Sequence, residues 1–230
     1  MVDEAFSLAL AGAAGFRVPE FELRTDWGER PVLVLRRFDR IVRDGRVTRV
    51  HQEDGAAALG LDPNGSNKYQ SLDPSSPSLK KVAAVLRRHG RRWITDFAAL
   101  ARDATLRVAV GDTDGHARNY GLLHSGDAVE MAPIYDVAPT SLHLAGRQVG
   151  LWVGGQSYLS HITAHHLAGE VQSWGVPERA ARDLVASSLG MLAAAIPEAT
   201  ERVPQVSATT VGAIEGRIER LLSSVTPVGG

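Results

Sequence analysis

The chain contains no cysteine, which excludes disulfides and cysteine-based metal centres. Lysine is scarce: of 25 basic residues, only Lys68, Lys80 and Lys81 are lysines. No apolar run reaches the roughly 20 residues that a membrane-spanning helix needs. The opening Met1-Val2-Asp3-Glu4 is acidic, where a secretory signal would be basic. An excess of either charge is also missing. The 25 basic and 26 acidic residues leave a net charge of −1, so nothing global points to nucleic acid or to a membrane surface. The expected compartment is a reducing cytoplasm. What remains is a chain of 230 residues, 44% hydrophobic, with 4 Trp, 4 Tyr and 5 Phe. That is enough for one sizeable core or two small ones.

Apolar spacing orders the elements. Phe6, Leu10 and Ala13 share a face, which predicts a short helix over 3–15 that ends near Gly15. The Val/Leu-rich run Pro31–Phe38 reads as a strand paired with Glu20–Leu23 across a turn at Thr25–Gly28. Val42–Val50 reads as a hairpin turning at Asp44-Gly45. Gln52–Leu61 is expected to be helical. A polar stretch rich in Pro, Ser, Asn and Gly then runs from Asp62 to Ser78. Leu79–Arg88 is expected as a helix, and a longer one over Trp93–Val110 carries Phe97, Leu100, Ala104 and Val108 at helical spacing. Two short strands follow, at Gly121–His124 and Ala128–Ala132, turning at Ser125-Gly126-Asp127. From Thr163 the pattern is helical. Pro177 suits the first turn of a helix to about Ile196. Val211, Ile214, Ile218, Leu221 and Leu222 form an amphipathic stripe. The Pro-Val-Gly-Gly end is expected to fray.

The residues that carry chemistry sit just after the long helix, in Thr113-Asp114-Gly115-His116-Ala117-Arg118-Asn119. Asp136 follows in Pro133-Ile134-Tyr135-Asp136. An aspartate five residues before an asparagine, then a second aspartate, is the spacing of a kinase catalytic loop and its metal-binding loop. Asp114 would orient an attacking hydroxyl and accept its proton. The Asn119 amide oxygen and the Asp136 carboxylate would hold Mg²⁺, which prefers oxygen ligands. Singly, each residue has a structural reading, as a turn or a helix cap. Together, with a helix before them and two strands between, they favour the catalytic one. His116 reads as a brace for the loop or a nucleotide contact.

Other clusters offer competing chemistry. Asp112, Asp114, His116 and Asp136 could also ligate a transition metal in a hydrolase, but Asn119 then has no role. His161, His165 and His166 include an i, i+4 pair without the intervening glutamate of a metalloprotease, and read as surface residues. His51, His89, His124 and His143 form no metal-ligand motif with the aspartates. The basic segment Lys80–Arg102 reads as a solvated face, with an acidic docking partner as the alternative.

Asp-Gly-His-Ala-Arg-Asn resembles the Asp-x-His-x-x-Asn loop of HipA-like kinases, which are related in that loop to phosphatidylinositol kinases. Phe16-Arg17-Val18-Pro19, Arg37-Phe38-Asp39-Arg40, His51-Gln52-Glu53-Asp54, Ala58-Leu59-Gly60-Leu61, Lys68-Tyr69 and Pro133-Ile134-Tyr135-Asp136 resemble that family in the same order, over about residues 4–200. The resemblance implies a bacterial serine/threonine protein kinase that uses ATP and Mg²⁺ and acts as the toxin of a toxin–antitoxin pair. It implies a small DNA-binding antitoxin as partner, so that DNA is met only indirectly. A protein substrate such as a tRNA-charging enzyme is also implied. Asp114 would be the base, with Asn119 and Asp136 as metal ligands. Phe38 and Gln52 would line the nucleotide pocket, with His116 and Tyr135 beside it.

The chain also departs from the family. No G-x-G-x-x-G precedes residue 40, no strand lysine precedes Lys68, and Arg36 stands where an acid is common. The expected fold class is α+β, mainly helical and kinase-like. A truncated β N-lobe over 1–70 would be followed by a helical C-lobe over 71–230, the boundary falling near residues 62–80. An upstream segment or a separate N-terminal subdomain chain would complete the phosphate clamp. A catalytically impaired fragment that works as a binding protein is the alternative.

Overall fold

The structure, a computed structural model, describes residues 1–63, 65, 67–143 and 147–225. The expected frayed end lies outside these residues. Helix α1 (Val2–Ala13) buries Phe6, Leu8 and Leu10 and packs on the long helix α6 (Glu178–Arg202). Its first turn is tied down by Asp3, which accepts a bond from Thr210 Oγ1 at 3.1 Å and meets His143 Nε2 at 2.7 Å. The helix stops at Ala14, and Gly15 leaves it at φ 74°. Thus α1, which the sequence groups with the strand-bearing N-terminal part, packs on the helical body.

Two separate antiparallel hairpins follow. Strand β1 (Phe21–Thr25) pairs with β2 (Pro31–Leu35), and β3 (Arg40–Arg43) with β4 (Arg46–Arg49). Asp26 closes the first turn by accepting from the backbone N–H of Gly28 and of Arg30, each at 2.9 Å. Asp44 and Gly45 both take positive φ, 49° and 70°, as a two-residue hairpin turn requires.

The expected helix over Gln52–Leu61 is corrected. Residues Gln52–Asp54 form strand β5, and only Gly55–Ala58 form a short helix, α2. The strand exists because it pairs with β6 (Gly121–Ser125), which pairs in turn with β7 (Ala128–Met131). Asp54 then caps α2 by accepting from Ala57 N at 2.8 Å. Local propensity in the Ala-rich run favours helix, and a long-range ladder overrides it for three residues.

Helix α3 (Leu79–His89) is capped by Ser78, whose hydroxyl accepts from Lys81 N at 3.2 Å. Helix α4 (Trp93–Val110) has the bounds its apolar spacing implies. It forms the centre of the helical body, packing against α3, α6, α5 (Ala164–Ser173) and α7 (Ala208–Ser223). Phe97, Leu100 and Leu106 fill the space between them. It ends at Gly111 in the left-handed region, φ 84°. A side chain there would meet Ser141 Oγ at 2.5 Å. Helix α6 runs past the expected Ile196, with Pro197 inside it. Among the described residues no helix is long and apolar enough to cross a membrane.

One hairpin has no counterpart in the sequence expectation. Strand β8 (Gln148–Val153) pairs with β9 (Gln156–Tyr158) across an irregular register. Val149, Leu151 and Val153 of β8 are buried. Residue Gly150 lies against the catalytic-loop candidate: a Cβ there would meet Gly115 C and O at 2.6 Å and His116 N at 2.7 Å. Those atoms are backbone and cannot swing aside. Gly150→Ala is therefore expected to push residues 115–116 off β8 and to destabilise the fold by about 1–3 kcal/mol, read as a lowered thermal unfolding midpoint.

Candidate active site

The last turn of α4 places one arginine beneath the loop that follows. Arg107 is 3% exposed. Its Nε donates to Asp103 Oδ1 at 2.7 Å, and Nη1 donates to Asp112 Oδ2 at 2.7 Å and to the Asp136 carbonyl at 2.9 Å. Nη2 donates to the carbonyls of Asn119 at 3.1 Å and Tyr135 at 3.0 Å. A guanidinium has five N–H donors, and each has an acceptor here. The bonds tie α4 to both segments that the sequence singles out. Burial pushes the Asp103 carboxyl up to about 6, against the pull of Arg107. Burial also raises Asp112, with Arg107 again opposing.

Asp112 then shapes the loop. Its Oδ1 accepts from Asp114 N at 2.9 Å and from Thr140 Oγ1 at 3.3 Å. Asp114 is half-buried, and its carboxylate accepts a short bond from the Tyr69 hydroxyl. Burial first, then that bond, pushes Tyr69 up to about 12. Residues 68–70 act as a strap. The Lys68 carbonyl accepts from Ala117 N at 3.0 Å, while Gln70 bonds β8 through the Gly150 carbonyl and Trp152 N, each at 2.9 Å. Lys68 Nζ lies 2.6 Å from His116 Nε2. His116 is buried, and its acidity is shifted so that the neutral ring is favoured. Desolvation is the larger cause and the Lys68 charge the second. A neutral Nε2 can accept a hydrogen bond from the lysine ammonium, a contact that ties the loop to the 68–70 strap.

Residues Ala117–Asn119 make a single 3-10 turn, and the Asn119 side chain caps it by accepting from His116 N at 3.2 Å. The structural role weighed for Asn119 is thus present. The same amide donates to the Asp136 carboxylate, so the two expected metal ligands touch. Asp136 is exposed and adopts φ 50°, a left-handed conformation uncommon for a residue with a side chain. Such conformations cluster at functional sites. Asn119 Oδ1 keeps a second lone pair beside its bond to His116 N, and the Asp136 carboxylate faces solvent. This all-oxygen pair suits Mg²⁺, which is commonly held by one or two carboxylates, waters and substrate phosphates.

Arg118 and Tyr135, the sequence neighbours of this pair, line an open cavity of about 460 Å³ with Gln52, His51, Asp39, Asp54, Arg37, Arg40 and Arg49. Phe38 stacks against Tyr135 with ring centroids 5.9 Å apart, and the Tyr135 hydroxyl donates to the Arg118 carbonyl at 2.7 Å. Gly121 makes room for this ring, since a Cβ there would meet Tyr135 Cε1 at 2.9 Å. Phe38, Gln52 and Tyr135 are therefore brought together, while His116 faces Lys68 instead. Asp39 binds Arg37 through two bonds, at 2.8 and 2.7 Å, and also Arg40. These arginines hold the Asp39 carboxyl down at about 2.

The alternative hydrolase cluster does not assemble. Asp112 is committed to Arg107 and the loop, and His116 to Lys68. The only group of metal-ligating side chains in reach of one another among the described residues is His51, Glu53 and His124. His161 and His165 are exposed, and His166 caps α5 through Thr163 at 2.8 Å. Within the basic segment, Lys81 bonds the carbonyls of Pro74 and Ser76, and Arg87 stacks on Trp93 and Phe97. Arg107 and Tyr69 are the residues that sequence reasoning missed. A signal for Arg107 existed: it stands four residues after Asp103 in the same helix, the spacing of a helical ion pair.

Comparison with known proteins bears on the family and the fold. The family model of the HipA-like C-terminal domain matches residues 1–196. A curated protein of Sinorhizobium fredii, named "Putative kinase Y4mE", is 40% identical over 139 residues. The match takes in 60% of this chain and 32% of that protein. The HipA chain in a Shewanella oneidensis complex of HipA, HipB and operator DNA superposes with a TM-score of 0.80 at 21% identity. That match covers 97% of this chain and 55% of the HipA chain. The Helicobacter pylori proinflammatory kinase CtkA gives a TM-score of 0.61 at 12% identity, covering 97% of this chain and 84% of that one. The fold is therefore α+β and kinase-like. The chain spans about a third of the length of the curated relative and about half that of the HipA chain.

Two outcomes follow from the buried contacts. Arg107→Met leaves Asp103 and Asp112 buried without their cation. Such a loss costs about 3–5 kcal/mol, to be measured as a lower urea midpoint. Because the folded-state value of His116 lies below the ordinary 6.5, the unfolded chain takes up the proton first. Its contribution is full above about pH 6.5 and is lost as pH falls below that value. Urea midpoints at about pH 8 and about pH 5.5 should therefore fall further in the parent than in His116→Gln.

Proposed function

The chain belongs to the family of HipA-like C-terminal domains, and on that premise we propose that it is the catalytic part of a serine/threonine protein kinase. The observation that carries the reading is the single arginine frame. Arg107 fixes the carbonyls of Asn119, Tyr135 and Asp136 together with Asp112, which in turn holds the Asp114 backbone. His116 lies within electrostatic reach of both Asp114 and Asp136.

In this reading ATP lies in the cavity that Gln52 and Tyr135 line, with Phe38 behind Tyr135. Arg37, Arg40, Arg49 and Arg118 line that cavity with Asp39 and Asp54; Asp39 pairs with Arg37 and Arg40, which leaves Arg49 and Arg118 as the cations offered to phosphates. Asp114 orients a Ser or Thr hydroxyl and takes its proton. The hydroxyl oxygen forms a bond to the γ-phosphorus as the bond to the β-bridging oxygen breaks, and ADP leaves with that electron pair. Asn119 and Asp136 would hold Mg²⁺, which when bound offsets phosphate charge. The work is positioning and electrostatic stabilisation. Tyr69 occupies Asp114 in this structure, so a substrate hydroxyl must take its place or use the other carboxylate oxygen.

A second reading has a specific observation behind it. Val32, Val34, Leu35, Ile41, Val42 and Val47 are exposed on the two hairpins, and Lys68, the first lysine, is turned toward His116. Both features support an N-lobe within about 1–70, carried by the two hairpins while α1 packs on the helical body, that is completed by a further segment or chain, with this chain impaired on its own. A small DNA-binding partner of the HipB kind is the proposed antitoxin, by likeness to the Shewanella complex. The protein substrate would carry the accepting Ser or Thr.

The test is transfer of radiolabelled γ-phosphate to protein. General-base catalysis is worth about 10²–10⁴-fold, so Asp114→Ala should lower the rate by about that factor while ATP still binds. Equal rates in parent and variant would remove Asp114 from the chemistry. ATP binding that persists unchanged when EDTA replaces Mg²⁺ would remove the metal pair.

A further inference from the structure

The kinase reading leaves one constellation unused. His51, Glu53 and His124 meet on two strands whose register is fixed. His51 and Glu53 flank Gln52 and reach toward His124, since alternate residues of an extended segment share a face, and His51 also borders the cavity that Gln52 lines. His124 stands across from His51: its N–H donates to the His51 carbonyl at 2.9 Å, and the two rings lie 4.5 Å apart. His124 Nε2 is 3.1 Å from Glu53 Oε2, and His51 Nε2 is 3.7 Å from Glu53 Oε1. All three ligand atoms fall within 4.8 Å of one another.

We propose that His51, Glu53 and His124 form a site for a divalent transition metal of the zinc class. Three arguments carry this. First, the spacing fits. Metal–nitrogen and metal–oxygen bonds of about 2.0 Å at tetrahedral angles put neighbouring ligand atoms about 3.3 Å apart, and the pairs here bracket that value. Second, the donor set selects the metal. Two imidazoles and one carboxylate suit zinc, copper or nickel, whereas Mg²⁺ takes oxygen ligands. The site would thus not compete with Asn119 and Asp136 for the same ion. Third, the fourth position is reachable. The side chains of His51, His124 and Glu53 are 66%, 25% and 36% exposed. Glu53 and His124 also line an open cleft with Lys81, Arg88 and Asp127. Water completes the coordination from that side.

Occupancy adds metal bonds between β5 and β6, which three backbone residue pairs and the His124–Glu53 side-chain contact already join. The strand so tied is the one that presents Gln52 to the cavity. The site itself does not depend on the kinase reading.

The experiment uses untagged protein and Zn²⁺ alone, titrated in competition with a chromophoric chelator. The parent should take up one equivalent with micromolar affinity or tighter, and Zn²⁺ should raise its thermal midpoint. The double variant Glu53→Gln/His124→Ala should bind at least about tenfold more weakly, and its midpoint should not respond. His161→Ala/His165→Ala should behave as the parent. Absence of uptake by the parent, or equal uptake by parent and Glu53→Gln/His124→Ala, would reduce the cluster to a pair of ion pairs and overturn the site. Loss of uptake in His161→Ala/His165→Ala alone would move the metal elsewhere and overturn it as well.

Discussion

The candidate site depends on one buried cation. Arg107 spends all five of its N–H donors on two carboxylates and three backbone carbonyls. The three carbonyls belong to segments 119 and 135–136, which approach from different directions. Without the guanidinium, two buried carboxylates would repel and three carbonyls would lose donors, so the arrangement is all or none. Lysine cannot replace it, having three donors and no planar fork. A helix core thereby sets the position of groups on loops, and helix α4 is held on several sides by α3, α5, α6 and α7.

Around this frame the loop is over-determined. Asp112 holds the Asp114 backbone, Asn119 caps its own turn, and the strap 68–70 joins it to β8. Glycine at 150 lets two backbones touch. Such support is what a positioning catalyst needs, because misplacement of reacting groups by about 1 Å costs about a hundredfold in rate. On the side proposed for phosphates, the cavity wall carries Arg49, Arg118 and the pair Arg37 and Arg40, which Asp39 braces.

What the sequence shows depends on how local the cause is. Helix α4 is legible to its end residues because a repeated apolar spacing defines it. The Asp44-Gly45 turn is legible because its positive φ values need those residues. The run Asp114–Asn119 stands out by the spacing of its residue types, and the structure sets Asn119 against Asp136. Strand β5 was misread, since its only cause is a ladder with β6 about seventy residues away. Strand β8 buries the alternate residues Val149, Leu151 and Val153, but Gly150 and Trp152 between them are not polar, and β9 is only three residues long, so the alternation is masked. Arg107 was passed over because a charged residue in an apolar helix reads as a surface position until its partners are known. His51 and His124 join the same lesson, as their pairing exists only through β-sheet register.

The central claim is that Asn119 and Asp136, locked together by Arg107, form one centre for metal and nucleotide phosphates. Electron paramagnetic resonance of Mn²⁺, standing in for Mg²⁺, titrated with the chain and ATP tests this most directly. The account predicts an ATP-dependent bound Mn²⁺ signal in the parent, weakened at least about tenfold in Asp136→Asn, with the fold intact. The same bound signal in both proteins would contradict it.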